Sequence, residues 1–142
     1  MVPSNSLIVG NDNQHTLGGS SIIGGGSNKI TAGSTLTIGD SNTNSGTNSI
    51  VGGYNNTTSG YSSFITGTDN RSEKDNSIVA GKYNLVSDRL FVLGNGSSNT
   101  VRHDAFSIDD AGKIYVNGSA TGIDVEDLLN RIVALEAAVE TL

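Results

Sequence analysis

The chain has 142 residues, 35% hydrophobic and 5% aromatic, with 19 glycines, no cysteine and a formal net charge of −6. This composition excludes disulfides, thiolate catalysis and zinc–cysteine sites, and it is too poor in apolar residues for one large globular core. There is no basic stripe for nucleic acid, no polybasic anchor, no apolar run long enough for a bilayer and no signal-peptide pattern at the start, so the expectation is a soluble chain with no nucleic-acid partner and no membrane insertion.

Residues 1–98 carry a repeat. Gly10, Gly25, Gly39, Gly53, Gly67, Gly81 and Gly94 follow one another at steps of 15, 14, 14, 14, 14 and 13. Asn13, Asn28, Asn42, Asn56, Asn70 and Asn84 each stand three places after one of them. Most of these glycines close a short apolar run opened by Ser or Thr, as in Ser49-Ile50-Val51-Gly52-Gly53 and Ser77-Ile78-Val79-Ala80-Gly81. So regular a period predicts a solenoid, which stacks small apolar ladders instead of gathering one core. Seven coils at about 4.8 Å each would stand about 34 Å tall.

Strand alternation sorts the apolar run into two faces. Leu7, Ile22, Leu36, Ile50, Phe64, Ile78 and Phe91 share one face with Val9, Gly24, Ile38, Gly52, Thr66, Ala80 and Leu93. That pairing of large with small suggests the narrow interior. The opposite face carries Ile8, Ile23, Thr37, Val51, Ile65, Val79 and Val92, too apolar for solvent. On this reading Ile8, Ile23, Val51, Ile65, Val79 and Val92 form the contact between chains of a symmetric oligomer. The glycine is expected to turn at positive φ, and the asparagine to tolerate left-handed backbone and stack into an amide ladder. A second short strand would point Ile30, Thr58 and Val86 inward, with His15, Asn44 and Ser72 at the same position.

The repeated unit resembles the YadA-like head of trimeric autotransporter adhesins, whose motif reads Asn-Ser-x-Ala-x-Gly-x-x-Ser. The nearest matches are Asn48-Ser49-Ile50-Val51-Gly52-Gly53 and Asn76-Ser77-Ile78-Val79-Ala80-Gly81. Asn replaces the later Ser of that motif, and Val or Ile its middle Ala. The resemblance spans about residues 5–98. It implies a left-handed parallel β-roll packed as a homotrimer. The family's signal peptide and anchoring barrel are not seen in this sequence, so the expectation is the fold alone.

Residues 99–118 leave the repeat and read as a β-hairpin collar: Ala105–Ile108, a turn at Asp109–Gly112, then Lys113–Val116. The segment from Leu93-Gly94-Asn95-Gly96 through this hairpin resembles a stretch common in bacteriophage tail-fibre proteins. Residues 119–142 read as linker and helix, with Asn117-Gly118-Ser119 at the join and Asp124 as N-cap. Val125, Leu128, Ile132, Leu135, Val139 and Leu142 are spaced 3, 4, 3, 4 and 3, a heptad seam. Its β-branched a and Leu d residues taken alone favour a dimer. The Arg131-Ile132-Val133-Ala134-Leu135-Glu136 segment resembles short trimeric coiled coils, and the trimer is the choice that also suits the roll.

Little points to chemistry. His15 occupies a repeat position and reads as structural; only on a three-fold axis would it become a metal site. His103-Asp104 are adjacent and ill placed to act as base and orienter. Turn chemistry accounts for Asp109 and Asp110 without calcium. The glycine runs lack the Lys-Ser/Thr of a phosphate loop. Neither a cofactor nor a metal is expected, and the chain is expected not to be an enzyme. Tyr54, Tyr61 and Tyr83 at exposed turns are the candidate receptor contacts. The function expected is a virion fibre segment, on the tail or as a head fibre decorating the capsid, with other virion components and a bacterial surface glycan or protein as partners. Rivals are a cell-surface adhesin head, and a glycan depolymerase, which would need paired carboxylates on one cleft.

Overall fold

The structure, a computed structural model, describes residues 5–16, 19–86, 88–116 and 125–141. The chain winds into a β-solenoid of about six turns. Each turn contributes a strand to a long parallel sheet: β1 (Leu7–Val9), β3 (Ser21–Gly26), β5 (Thr35–Asp40), β7 (Ile50–Tyr54), β9 (Phe64–Thr68), β11 (Ile78–Lys82) and β12 (Phe91–Asn95). Between them run the two-residue strands of a second sheet: β2 (Gln14–His15), β4 (Lys29–Ile30), β6 (Thr43–Asn44), β8 (Thr57–Thr58) and β10 (Arg71–Ser72). The expected seventh coil is not completed, because after β12 the chain reverses into β13 (Asp104–Ile108) and β14 (Ile114–Val116), antiparallel additions to the long sheet. The predicted hairpin is therefore the last part of the same sheet.

Two corners per turn bend the chain. Asp12, Ser27, Ser41, Asn55, Asp69 and Tyr83 are left-handed at the first corner. Asn5, Gly19, Ser34, Asn48, Ser62 and Asn76 are left-handed at the second. Left-handed residues thus recur every seven positions, with one step of eight between Gly19 and Ser27, and the fourteen-residue repeat is two half-turns. Small polar side chains suit these positions because Asn, Asp and Ser can bond their own local backbone. The repeat asparagine, expected to adopt this geometry itself, instead follows the residue that does.

The asparagines form the predicted ladder. Asn28, Asn42 and Asn56 each donate Nδ2–H to the Oδ1 of the asparagine one coil earlier, at 3.0–3.1 Å. Each also donates to the carbonyl of the next coil's glycine, at 2.7–2.9 Å. The backbone N–H of Asn28, Asn42, Asn56, Asn70 and Asn84 donates to the same preceding Oδ1. Asn28 to Asn84 are wholly buried, and these bonds satisfy their amides there. A second, hydroxyl ladder runs at the other corner. Ser21, Thr35, Ser63 and Ser77 each give a backbone N–H to the hydroxyl one coil back, at 3.2–3.3 Å. This explains the Ser or Thr that opens most of the apolar runs.

The two faces of the long strands are the reverse of those expected. Ile23, Val51, Ile65, Val79 and Val92 are at most 2% exposed within the single chain, and Thr37 is wholly buried. They fill the coil and cannot contact another chain; Ile8, in the first coil, is half-buried. Opposite them, Ile30 and Thr58 point inward as anticipated, and His15, Asn44 and Ser72, whose polarity spoke against an inner row, do so too; Val86 is exposed, no short strand following β11 among the described residues. The inner rows are matched across the coil. Thr37, the polar member of its row, and Asn44 lie in one turn, where Asn44 Nδ2 donates to Thr37 Oγ1 at 3.2 Å. His15 is an inner residue, its Nδ1 3.4 Å from the Ser6 hydroxyl and its Nε2 3.4 Å from the Ala32 carbonyl, so it cannot lie on an intermolecular axis.

Close approach explains the glycines. A Cβ on Gly25, at φ +107°, would stand 2.0 Å from the Gly39 carbonyl oxygen, and Gly10, Gly39, Gly53, Gly67 and Gly81 repeat the contact at 1.9–2.1 Å. Gly46 and Gly60 form a second such column at the other corner. Gly24, one residue before Gly25, has nothing within 4 Å of its Cβ position and no positive φ. Gly25→Ala should therefore cost about 4 kcal/mol or more while Gly24→Ala stays within about 0.5 kcal/mol, as read by urea unfolding. Equal effects at the two positions would refute the stacking.

Candidate functional site

With the interior closed, the outer side of the long sheet is left apolar. Leu7, Ile22, Ile50, Phe64 and Ile78 are 42–57% exposed. Val9, Ile38 and Leu93 project beside them at 41–58%. The register aligns Leu7 with Ile22, Leu36 with Ile50, Ile50 with Phe64, Phe64 with Ile78 and Ile78 with Phe91, so these side chains form continuous rows along the solenoid. Apolar strips of this extent on a folded domain mark contact surfaces.

The helix α1 (Val125–Glu140) carries the second apolar surface. Val125, Leu128, Ile132, Leu135 and Val139 of the seam are all 44–66% exposed, as are Leu129 and Val133. A helix packed along this seam against its own domain would have buried them. The expected cap Asp124, the linker 117–119 and Leu142 lie outside the described residues. Among the described residues no helix is long and apolar enough to cross a membrane.

The three tyrosines do not form one patch. Tyr54 ends β7 at the first corner and is 55% exposed. Tyr83 sits at the same corner two coils on, half-buried and left-handed at φ +46°. Tyr61 stands beside left-handed Ser62 at the second corner, 58% exposed. Tyr83 is held structurally. Its hydroxyl bonds the Asp69 carboxylate, which pushes its ionisation above the usual phenol range. Asp69 also accepts from Asn55 and Asn99, and Arg102 donates to the Asp69 and Asn84 carbonyls at 2.8 and 3.1 Å. Tyr54 and Tyr61 remain available as contacts; Tyr83 belongs to the fastening between the last coil and the loop before β13.

The other corner is fastened by charge. Lys74 pairs with Asp110 on the hairpin turn at 2.5 Å and with Asp88 at 3.1 Å. The bond to Asp110 and then that to Asp88 raise its ammonium above the usual lysine value. Asp109 accepts from the Ala111 and Lys113 amides and, at 2.7 Å, from the Tyr115 hydroxyl. The tyrosine bond is the main reason its carboxyl lies below the usual range. Both aspartates thus work within the turn. Arg89 lies 3.1 Å over the Tyr115 ring and donates to Ser107, and Phe91 meets Phe106 edge-on at 6.0 Å. Among the described residues, no group of three or more His, Cys, Asp or Glu is arranged to hold a metal ion. His103 points its Nδ1 at Asn95, away from any nucleophile arrangement with Asp104.

Asp104 is buried at the join between roll and hairpin, where its Oδ1 accepts the Leu85 N–H at 2.8 Å. Burial pushes its carboxyl above the usual range, opposed by the Leu85 bond and by the charges of Arg89 and His103. A carboxyl raised in the folded state binds its proton more tightly there than unfolded. Its contribution therefore favours folding at mildly acid pH and is lost as pH rises through the folded value. Asp104→Asn keeps the acceptor for Leu85 and removes the buried charge. Urea midpoints should rise at neutral pH and change little at acid pH; a fall at neutral pH would contradict this. No family model, curated protein or solved structure matches this chain.

Proposed function

We propose that the chain is a structural and adhesive fibre segment of a virion, a homotrimer that holds shallow contacts against a bacterial surface glycan or protein. The observation that carries the reading is the pair of unpartnered apolar surfaces, one along the outer sheet and one along α1, on a chain whose interior is already full. Three copies would cover both: the sheets facing inward around one axis and the helices forming a coiled coil on the same axis. The Arg131–Glu136 segment, similar to short trimeric coils, selects three over two. A left-handed roll, as in the adhesin heads the repeat resembles, fits this arrangement. The resemblance of the segment from Leu93 through the hairpin to a stretch common in tail-fibre proteins supports a phage virion as the setting.

Function in such a module is geometric. A solenoid clamped at every coil by side-chain ladders is rigid, and three copies present Tyr54 and Tyr61 at repeated positions. Individually weak contacts then gain from multivalency. No bond is made or broken, which separates this reading from a depolymerase.

Labelled protein applied to a panel of bacterial cells and immobilised glycans tests the proposal. The intact chain should be retained on at least one surface. Ile50→Asp combined with Phe64→Asp should keep the β spectrum but abolish the trimer and lower retention by about 10²-fold through lost avidity. Retention of this variant at the intact level, or no retention of the intact chain on any surface, would overturn the adhesive reading.

A further inference from the structure

The half-turn repeat sets one residue at each bend, immediately before the left-handed position. At the first corner these residues include Asp40, Tyr54 and Thr68, stacked in register through β5, β7 and β9. At the second corner the equivalent residues are Thr47, Tyr61 and Asp75, just before left-handed Asn48, Ser62 and Asn76. Tyr54 and Tyr61 are half a turn apart, so they stand at opposite corners of one coil and within about 2.4 Å of the same height. Both side chains are exposed, at 55% and 58%. One coil to either side, each column offers one carboxylate and one hydroxyl. Asp40 Oδ1 accepts the Gly26 N–H at 2.7 Å, and Asp75 Oδ1 accepts the Tyr61 N–H at 3.0 Å. Among the described residues the Oδ2 atoms of both aspartates have no hydrogen-bond or ion-pair partner.

We infer that Tyr54 of one chain and Tyr61 of the next form a cleft for a neutral glycan, repeated three times around the assembly. The inference rests on the trimer proposed above, with the long sheets around one axis and the helices parallel along it. Every long strand then crosses the axial side from its second corner to its first. Three-fold symmetry therefore sets the first corner of one chain beside the second corner of its neighbour, level by level. A single chain keeps its two tyrosines at opposite corners, so the cleft is incomplete without the neighbour. In the coil before, Asp40 faces Thr47 across it; in the coil after, Thr68 faces Asp75. These groups suit a pyranose. Tyrosine rings take the apolar C–H face of the sugar. Carboxylates and hydroxyls about 4.8 Å above and below bond its hydroxyl groups. Neither column holds a Lys or Arg at these three levels, and Asp40 and Asp75 repel an anion, so the sugar is uncharged.

Light scattering on each preparation reads the trimer. Calorimetric titration with neutral gluco-, galacto- and manno-oligosaccharides, and with oligogalacturonate as the acidic control, reads the clefts. The intact chain should bind at least one neutral oligosaccharide at about three sites per trimer. It should bind that oligosaccharide at least about ten-fold tighter than the oligogalacturonate. Tyr54→Ala and Tyr61→Ala should each remain trimeric and each weaken binding at least about ten-fold. Refolding these two variants together makes mixed trimers, each with one cleft that holds both tyrosines. The mixture should therefore recover about a quarter of the intact number of sites, at the intact affinity. A trimer that binds no neutral oligosaccharide, prefers the oligogalacturonate, keeps its affinity in either variant or recovers nothing on mixing would overturn the cleft and leave the trimer standing. A monomeric intact chain would overturn the trimer on which the cleft rests.

Discussion

The approach of one coil's carbonyl to the next coil's glycine governs this structure. At Gly10, Gly25, Gly39, Gly53, Gly67 and Gly81 that oxygen lies within 1.9–2.1 Å of where a Cβ would be. Only with that column open can the coils stack at strand spacing and place each asparagine between its two neighbours. The amide ladder then supplies donors and acceptors to a corner that would otherwise bury unsatisfied backbone groups, at about 1–3 kcal/mol each. A chain with few large apolar residues is stabilised in this way by repetition: a small inner row, a hydroxyl ladder and an amide ladder, each extended one coil at a time.

The period was legible because the glycine and asparagine needs are local and recur without exception through six coils. The face assignment was not. Alternation shows which residues share a face, but both faces here are apolar, and only the corners decide which turns inward. A signal was present in the variation. Inner positions hold similar volumes coil after coil, Ile23, Thr37, Val51, Ile65 and Val79. The outer row runs from Gly24 and Gly52 to Ile38 and Leu93. Tolerance of every size marks an unconfined surface and not a narrow interior. The seven-residue spacing of Thr37 and Asn44 was a second signal, since it sets two polar residues opposite each other in one coil. The glycine column at Gly46 and Gly60 is not legible in the sequence, because these glycines lack an asparagine three places on.

The inversion moves the surface proposed to meet a partner to the other face of the long sheet. Ile23, Val51, Ile65, Val79 and Val92 stabilise the single chain. The rows through Ile22, Ile50, Phe64 and Ile78 carry the surface that a partner would cover. The candidate contacts divide similarly. Tyr83 lies at a turn as the other two do, but its tie to Asp69 makes it part of the hairpin's fastening. Nothing in the sequence joins residues 69, 99 and 102, because the loop between β12 and β13 folds back over coils far from it in the chain.

Absolute mass by light scattering across a range of concentrations tests the central claim most directly, that copies of the chain cover both apolar surfaces. The account predicts a species of about 44 kDa, three chains of 14.6 kDa, that persists on dilution. A stable monomer of 14.6 kDa would contradict it, because the outer sheet rows and the helix seam would then face water in the folded protein.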